Sequence, residues 1–592
     1  MNCLHYALSV QSSAEHLFAV TLTIPPSNHN TLTLTLPSWI PGSYMIRDFA
    51  KNLITLQATA SDGKTLLATK TDKQTWQIEN HGAGVTLSYT VYAFDLSVRT
   101  AFLNDEYGFV NGTSAFLQVQ EFPQLACELT VSLPQSHAHW HIETSMPRHD
   151  AGHYISANYE ELIDHPVFMG ECVTDAITVK GVEFVFLYSG HTPVNTQRIC
   201  QDMIPICEHH LTLFGEPAPI SRYVFMTLLS DTGFGGLEHR SSTALLYPRF
   251  DLPLQREGGK RTDSYITFLS LCCHELFHTW HVKRLRPKVL LSPDLSQEVY
   301  TPQLWIYEGF TSFYDDLTLA RTGLISPRKY LEIVGQNLTR LQVTAGRKKQ
   351  SVASSSFDAW TKFYKQDASA PNNIVSYYTK GGIIAFGLDL LLREKSDGKV
   401  TLDHLMQALW AQFGQDELGT EDAVIETVCK DTFNIDITDF INKVVYGTFD
   451  VPLSDWLEQI GVSLHTRPKN GLADKGGTPP ASAYQKHPLG AMIKNAETGV
   501  TVLVVLEDGA ACQAGLQVND RIIAMNDWVI NDVLLQRLLN QTKASSVALT
   551  VLRDGRLLNL TLPVLPEQDE ACYFTIDNEE KLTAWLKPPT SA

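Results

Sequence analysis

The period of the hydrophobic pattern changes twice along this chain, and the changes separate regions of different structure. In roughly the first 170 residues apolar and polar positions alternate, as in Thr31–Pro37 and Val85–Tyr92. A two-residue period is typical of half-buried β-strands. From about residue 190 to 455 apolar residues recur every three to four positions, which predicts helices. Short strand-like runs return between Val500 and Val564.

The length of the chain makes a single hydrophobic core improbable. At 592 residues it exceeds what one core usually supports, so we expect several domains. The pattern predicts a multidomain α+β protein with a β-rich N-terminal region and a mainly helical middle region. A small β-rich domain should follow, with one helix around Asp532–Gln541.

The composition excludes several classes of function. The net charge is 46 − 64 = −18, which argues against a nucleic-acid-binding or anionic-membrane-binding protein. No apolar run approaches the roughly 20 residues that span a bilayer, and the N-terminus lacks the pattern of a secretory signal. The ten cysteines have no framework spacing, and adjacent Cys272 and Cys273 suit reduced thiols. We therefore expect a cytoplasmic location.

The residues His274-Glu275-Leu276-Phe277-His278 form the pattern HExxH. Residues four apart lie on one face of a helix, so both imidazoles can reach one zinc ion while Glu275 holds a water molecule beside it. The stretch from Tyr265 to Arg284 has the apolar spacing of the amphipathic helix that this requires. The motif also occurs by chance in unrelated chains, so a packed helix with incidental histidines is the alternative.

A third protein ligand for zinc is available downstream. Glu308 lies in an otherwise apolar stretch of a helix predicted from near Pro302 to Leu319, where a buried carboxylate is costly unless it is paired or coordinated. His281 is a competing ligand, but three ligands from one straight helix would crowd one side of the ion, so a role in packing or in supporting a ligand residue is favoured. Asp315, on a helix face similar to that of Glu308, could orient a ligand histidine; its alternative is a surface carboxylate.

With these residues in view, the chain resembles the glycyl-aminopeptidase family of PDZ-containing gluzincin metallopeptidases. The resemblance covers nearly the whole chain and ends in a PDZ-like segment. It rests on SWIPGSYMIRDF (38–49), GFGGLEH (233–239), HELFHTWHVKRLRP (274–287), LWIYEGFTSFYDD (304–316) and SYYTKGG (376–382). It implies an N-terminal β-rich domain (1–170), a thermolysin-like zinc peptidase domain (171–457), a PDZ domain (458–566) and a C-terminal tail (567–592).

The resemblance also implies roles for individual residues. One zinc ion per chain would be held by His274, His278 and Glu308, with Glu275 as the general base. Glu238 would bind the free α-amine of the substrate, and Tyr378 would stabilise the oxyanion. The alternative for Tyr378 is packing at a helix entrance, with Tyr377 as the competing hydroxyl. The family name implies cleavage after small N-terminal residues, glycine or alanine.

The glycine-rich motif and the basic cluster each have a chemical and a simple structural interpretation. A carboxylate at Glu238 would offset the desolvation of a protonated amine, and Gly233, Gly235 and Gly236 would let the backbone approach the peptide closely. The alternative is an ordinary turn followed by a surface glutamate. For the basic residues after the zinc motif a solvated helix end is expected; they are Lys283, Arg284, Arg286 and Lys288.

The segment 509–527 resembles the core of a PDZ domain, with Asn519 in place of the usual glycine. Asn adopts left-handed backbone conformations more readily than most residues. A PDZ domain can add a peptide or protein strand to its sheet edge, or it can brace the catalytic domain. We expect a zinc aminopeptidase that acts on peptides. The alternatives are an endopeptidase or chaperone-like protease that recruits proteins through the PDZ domain, and a non-catalytic PDZ scaffold.

Overall fold

The structure is a computed structural model that describes residues 3–80, 82–150, 152–256, 258–471, 473–480 and 487–588. The chain divides into two compact units, Met1–Val299 with Gln412–Thr420, and Tyr300–Ala411 with Glu421–Ala592. Among the described residues, no helix combines the length and the apolar character needed to cross a membrane.

The first unit is built mainly from strands, as the alternating N-terminal pattern predicts. Its helices are α1 (Tyr159–Ile163), α2 (Thr196–Phe214) and α3 (Asp263–Phe277). Its strands are β1 (Leu4–Ser12), β2 (Leu17–Ile24), β3 (Thr31–Thr35), β4 (Leu53–Ala60), β5 (Thr65–Leu66), β6 (Ala68–Lys70), β7 (Thr75–Glu79), β8 (Val85–Tyr92), β9 (Ala101–Leu103), β10 (Tyr107–Val110), β11 (Gln118–Val119), β12 (Cys127–Ser132), β13 (His141–Glu143), β14 (Arg148–Asp150), β15 (His153–Ser156), β16 (Val167–Gly170), β17 (Cys172–Val179), β18 (Val182–Ser189), β19 (Arg222–Ser230), β20 (Gly235–Glu238) and β21 (Ser242–Pro248).

Three sheets form the N-terminal part of this unit. The largest has the order β14-β15-β12-β1-β2-β8-β4-β5, and four-stranded sheets have the orders β13-β16-β10-β9 and β11-β3-β7-β6. In β8 buried residues alternate with more exposed ones, so one face lies on the core. The strand predicted over Val85–Tyr92 is therefore confirmed, and β3 begins at the predicted Thr31.

A five-stranded sheet follows, and three of its strands, β19, β20 and β21, lie where the sequence predicts mainly helices. Its order is β17-β18-β19-β21-β20, in which β18, β19 and β21 run parallel and β20 is an antiparallel edge strand. The helical expectation is wrong for this stretch. Strands such as β19 are apolar on both faces because the sheet is covered on both sides, so the two-residue alternation that identifies a half-exposed strand is missing.

The helix that carries the zinc motif is shorter than predicted. Its N-cap is Thr262, whose side chain accepts a hydrogen bond from the backbone of Tyr265, and its last helical residue is Phe277. The predicted continuation to Arg284 is wrong. After His278 the chain turns sharply, and Val282 has φ of +104°. Tertiary contacts of the basic residues that follow hold this turn. No local helix-stop signal in the sequence predicts it.

The second unit contains the remaining helices and a second sheet system. Its helices are α4 (Leu304–Arg321), α5 (Pro327–Gln342), α6 (Val352–Phe357), α7 (Ala370–Asn373), α8 (Tyr377–Lys395), α9 (Leu402–Leu409), α10 (Val424–Phe433), α11 (Thr438–Ile441), α12 (Ala510–Gln513), α13 (Asp532–Gln541) and α14 (Glu579–Leu586). Its strands are β22 (Val462–Arg467), β23 (Ala491–Asn495), β24 (Val500–Val505), β25 (Arg521–Met525), β26 (Trp528–Val529), β27 (Ser546–Arg553), β28 (Arg556–Pro563) and β29 (Ala571–Ile576).

Helices α4 and α8 approach each other closely through glycine. A Cβ atom at Gly309 would lie 2.5 Å from the Cα atom of Gly381, so neither position has room for a side chain. The apolar run IIAFGLDLLL that follows Gly381-Gly382 predicts a helix there, and α8 begins earlier, at Tyr377. Glycine inside a helix is usually unfavourable, and here close packing of the two backbones offsets that cost.

The C-terminal sheet has the order β23-β24-β25-β27-β28, with β26 paired to β25. Its core contains Ile522, Leu535 and Leu549, so α13 covers one face of the sheet. Helix α13 has the predicted bounds, and Asn519 has the left-handed φ of 71° that its replacement of glycine requires. The predicted β-rich C-terminal domain with one main helix is confirmed.

The segments beside this domain differ from the expectation. Strand β29 pairs along its whole length with β22, and α14 buries Trp585, whose indole N–H donates to Oδ2 of Asp389 at 2.7 Å. The expected tail is therefore wrong over these elements, because a pairing across about 100 residues leaves no local pattern. The segment from Arg467 to His487 is rich in Gly, Pro, Ala and Lys, which predicts a long loop; its residues 472 and 481–486 lie outside the described residues.

Candidate active site

The two histidines of the HExxH motif come together at the end of α3. His274 lies in the last turn of the helix and His278 is its C-cap residue. Their ring centroids are 4.7 Å apart and their planes cross at 85°. This is the placement that four-residue spacing on a helix predicts, and it directs both imidazoles to one side of α3.

A backbone contact sets the proton position on His278. Its Nδ1 atom lies 2.8 Å from the carbonyl oxygen of His281, so Nδ1–H donates and the lone pair of Nε2 stays available for a metal ion. The ring of His281 packs at a steep angle against Phe277, with centroids 5.6 Å apart. These contacts agree with the packing role that the sequence favours for His281.

The carboxyl group of Glu275 lies directly against strand β20. Glu275 is only 5% exposed, and a Cβ atom at Gly236 would lie 1.9 Å from its Oε1 atom. Gly236 is therefore needed to make room for this carboxyl group, a role different from the close approach to peptide that the sequence predicts. At Gly235 a Cβ atom would instead meet Arg99 and Val98 at ordinary contact distances.

Strand β20 turns backbone groups toward the open edge of its sheet. The N–H of His239 donates to the carbonyl of Ser242 at 2.9 Å, and hydrogen-bonded pairs alternate with non-bonded pairs in an antiparallel ladder. With the register Leu237 to Ala244, the backbone groups of Gly236 and Glu238 point away from β21. An extended peptide can add to an edge of this kind.

Glu238 is buried beside Glu275 rather than exposed on the surface. It is 4% exposed, and ligand atoms of Glu238, Glu275 and His278 all lie within 4.8 Å of one another. Among the described residues, none donates a hydrogen bond to the Glu238 carboxylate. An ionised carboxylate buried without a partner is costly, so this position fits a group that receives a cation from outside the protein. The surface-glutamate alternative is wrong.

The N-terminal motif SWIPGSYMIRDF lies against the Glu238 carboxyl group. Ile40 to Ser43 form a turn in which the N–H of Ser43 donates to the carbonyl of Ile40 at 3.0 Å and Gly42 has φ of +93°. A Cβ atom at Gly42 would lie 2.5 Å from Oε1 of Glu238. The Pro41-Gly42 pair signals this turn in the sequence, but its contact with Glu238 is visible only in the structure.

A cavity of about 600 Å³ extends from Glu238 and Gly42 within the first unit. Its wall includes the rings of Trp39 and Tyr44 and the guanidinium group of Arg240. Arg240 pairs with Glu417 through a hydrogen bond of 2.9 Å, so the basic wall is largely neutralised. The cavity borders the buried Glu238 carboxylate and has the volume of a small-ligand site.

The first two basic residues after the zinc motif are buried structural groups. Lys283 donates to Asp164 at 2.6 Å, and Arg284 donates to the carbonyl of Thr279 at 2.7 Å. Burial alone would raise the pKa of Asp164, but Lys283 and His239 hold that pKa well below its usual value. The predicted solvated helix end is therefore wrong for these two residues, whereas Lys288 is exposed as predicted. The ion pair of Lys283 and the hydrogen bond of Arg284 hold the turn that follows α3, and residue composition alone does not reveal these contacts.

The other expected site residues belong to the second unit. Glu308 lies on α4 and is 2% exposed, and Asp315 lies two turns further along and is half-buried. Burial and then the charge of Glu308 raise the pKa of Tyr378 well above its usual value, so its hydroxyl group keeps its proton. Tyr377 is fully buried whereas Tyr378 is half-buried, which favours Tyr378 as the hydroxyl that a substrate can reach.

The donor groups of the first unit fit zinc. Two imidazoles, one with its tautomer set by a backbone carbonyl, are ligands that zinc prefers, and a buried glutamate stands beside them. Together with the edge strand, these groups define a metallopeptidase.

Comparison with known families identifies the chain more closely. It matches the Peptidase M61 N-terminal domain over residues 5–171, the M61 glycyl aminopeptidase over 267–384 and a PDZ domain over 488–564. The chain belongs to the M61 glycyl aminopeptidase family. The resemblance inferred from the five sequence motifs is confirmed, as is the fold class with its β-rich, helical and PDZ parts.

A solved structure that covers nearly the whole chain agrees with this assignment. An aminopeptidase N family protein from Idiomarina loihiensis is 39% identical, with a TM-score of 0.96 over 99% of this chain and 100% of that one. A variant of the M1 zinc metallopeptidase from Deinococcus radiodurans is 14% identical, with a TM-score of 0.48 over 76% of this chain and 95% of that one. No curated protein matches the chain.

Proposed function

We propose that the protein is a zinc aminopeptidase that removes N-terminal residues, glycine or alanine by preference, from peptides. The observation that carries this proposal is the group of Glu238, Glu275 and His278, whose ligand atoms lie within 4.8 Å of one another. It combines a buried carboxylate for a cation, a second carboxylate for proton transfer and an imidazole for a metal ion. An exopeptidase that recognises a free amine needs these three functions next to each other.

One zinc ion per chain is held by His274, His278 and Glu308 in this proposal. Membership of the M61 family and the deep burial of the Glu308 carboxyl group in its own unit support Glu308 as the third ligand. Asp315 lies seven residues after Glu308 on a similar face of α4 and orients a ligand histidine through its free ring N–H.

The chain's own residues carry out the proton transfers and the positioning. When bound, zinc lowers the pKa of a coordinated water molecule and polarises the scissile carbonyl. Glu275 accepts a proton from the attacking water and passes it to the departing amine. The Tyr378 hydroxyl, which keeps its proton because its pKa is raised, donates a hydrogen bond to the developing oxyanion.

Glu238 determines which bond is cut. Its carboxylate pairs with the protonated N-terminal amine, so the bond that reaches Glu275 is the one after the first residue. The free edge of β20 aligns the peptide through the backbone groups of Gly236 and Glu238.

The proposal is tested with a panel of amino-acid amides and their N-acetylated forms, each with and without a chelator. We expect hydrolysis of glycine and alanine amides that stops with chelator and with acetylation. Cleavage that survives acetylation would indicate the endopeptidase alternative. Hydrolysis that chelator leaves unaltered would contradict the zinc proposal, and absence of hydrolysis with zinc bound would indicate the non-catalytic scaffold.

The PDZ domain braces the helical part of the second unit in this proposal. Asn372 of α7 donates to the carbonyl of Val505 at 2.8 Å and accepts from the N–H of Glu507 at 3.0 Å. Lys349 also pairs with Glu507. A peptide or protein ligand would have to bind elsewhere on the domain, at the free edge of β23.

We also propose a reducing compartment, the cytoplasm. All ten cysteines are free thiols, and burial raises the pKa of the Cys272 thiol well above its usual value. A buried thiol with a raised pKa is unreactive, which suits a protein that does not rely on disulfides.

A further inference from the structure

Arg99 reaches strand β20 from the turn between β8 and β9. Its Nη2 atom donates to the carbonyl of Gly236 at 3.4 Å, and its Nη1 atom would lie 3.5 Å from a Cβ atom at Gly235. Since the carbonyl of Gly236 points to the free edge of the sheet, the guanidinium group stands at that edge. It therefore lies where a peptide added to β20 would pass.

The turn that carries Arg99 is held rigidly. Asn111 is fully buried, and its side-chain NH₂ group donates to the carbonyls of Val98 at 2.8 Å and Thr100 at 3.0 Å. The two residues on either side of Arg99 are thus fixed by one amide group. Thr100 adds a hydrogen bond to the carbonyl of Asp95 at 2.7 Å. Preorganisation of this kind is expected of a side chain that binds a ligand.

Arg99 has no acidic partner in the described part of the chain. The protein carries 64 acidic residues against 46 basic ones, and most of its half-buried arginines lie in ion pairs. Among the described residues, no carboxylate oxygen lies within 4.0 Å of a guanidinium nitrogen of Arg99, the limit for an ion pair. The Nε atom of Arg99 is buried and has no hydrogen-bond partner among them. A half-buried guanidinium group without an acidic partner is suited to bind an anionic group of the substrate.

The edge of β20 therefore lies between two opposite charges. Glu238 offers a negative charge at one end and Arg99 a positive charge at Gly236, with Glu275 beside Gly236. Two residues of extended strand separate Glu238 from Gly236, a span of about 7 Å. An unblocked peptide of two extended residues has its amine and its carboxylate separated by a similar distance.

We propose that Arg99 binds the free α-carboxylate of short peptides, so that the preferred substrates are unblocked dipeptides, followed by tripeptides. The inference rests on the proposed aminopeptidase function and specifies its substrate class. The amine pairs with Glu238, the scissile bond lies beside Glu275, and the carboxylate of the leaving residue pairs with Arg99. Longer peptides carry a neutral amide at this point and lose the ion pair.

The test compares each short peptide with its C-terminal amide. For wild-type protein we expect kcat/KM for Ala-Ala to exceed that for Ala-Ala amide by at least about tenfold, the scale of one charge-assisted contact. Arg99→Gln should reduce this ratio to near one, and Arg99→Lys should keep part of it because the charge is retained. Arg556→Gln, which removes an exposed arginine of β28, is the matched control and should keep the wild-type ratio.

Binding to the Glu275→Gln variant provides a second readout without turnover. Calorimetry should show that Ala-Ala binds at least about tenfold more tightly than its amide, and that adding Arg99→Gln removes the difference. A wild-type ratio near one would overturn the inference. So would a ratio that Arg99→Gln leaves unaltered, since Arg99 would then only tie the turn to β20. If no peptide is hydrolysed, the proposed function fails, and the calorimetric comparison alone decides on Arg99.

Discussion

A Cβ atom at Gly236 would lie 1.9 Å from Oε1 of Glu275. Strand β20 and the carboxyl group of Glu275, the proposed general base, therefore pack so closely that no methyl group fits between them. The contact joins two residues that lie 39 positions apart, in the motifs GFGGLEH and HELFH, and it places the carboxyl group beside the strand along which we propose that the peptide lies.

Gly236→Ala should lower kcat by about 100-fold, because the new methyl group must displace the Glu275 carboxyl group by an ångström or more. The zinc content should stay at the wild-type level, since neither histidine moves. Steady-state kinetics and metal analysis check both expectations. Gly259→Ala, where a Cβ atom would meet nothing within 4 Å, is the control. Full activity of Gly236→Ala would show that Glu275 is not the base.

Glu275→Gln should keep zinc and lose turnover by about a thousandfold or more, because the amide group cannot accept the proton while the ligands remain. Metal analysis of the purified variant, together with hydrolysis of alanine amide, measures both properties. Loss of zinc from this variant would identify Glu275 as a ligand and would contradict the role assigned to it.

Glu308→Ala should lose zinc under conditions in which the wild-type protein retains it, since two histidines alone bind the ion weakly. Dialysis against a weak chelator followed by metal analysis measures the loss. Glu332→Ala, which removes a glutamate from α5, is the control. Retention of zinc by Glu308→Ala would require another third ligand.

Glu238→Gln should raise KM for substrates with a free amine by about tenfold or more, because the ion pair with the ammonium group is replaced by a weaker neutral hydrogen bond. Gln has nearly the same shape, so the contact with Gly42 is kept. The kinetics of glycine and alanine amides provide the measurement. Unaltered values would remove Glu238 from the amine site.

His210 should make stability fall in weakly acidic solution. Burial lowers its pKa from 6.5 to about 4, and its Nε2 atom lies 3.2 Å from the carbonyl of Cys273. Between pH 6.5 and about pH 4, His210 binds a proton in the unfolded chain but not in the folded protein. The free energy of unfolding therefore decreases as the pH falls through this range. A difference of 2.5 pKa units corresponds to about 3 kcal/mol.

The measurement is the urea midpoint of the zinc-free protein at pH 7 and pH 5, for the wild type and for His210→Gln. Gln can still donate a hydrogen bond to the Cys273 carbonyl but does not titrate, so the variant should lose less stability at pH 5. The difference between the two proteins isolates His210 from the other titrating groups. An equal loss in both would contradict the assignment.

Elements with a regular local pattern could be predicted closely from the sequence. Strand β8 and helix α13 have the predicted bounds because one face of each lies on a core and the other faces water. Strand β19 was missed because both of its faces are buried. Helix α3 was predicted too long because an ion pair of Lys283 and a hydrogen bond of Arg284 hold the turn that ends it, and such contacts leave no periodic signal.

The sequence by itself determined that His274 and His278 share a helix face, because the helical repeat alone brings residues four apart together. Only the tertiary structure decided that Glu238 is buried beside Glu275, that Gly42 lies against Glu238, and that Arg99 reaches Gly236 across 137 residues of chain. Backbone periodicity acts over a few residues, whereas these contacts depend on how whole sheets and turns pack. A residue's partners across such distances follow from the complete fold.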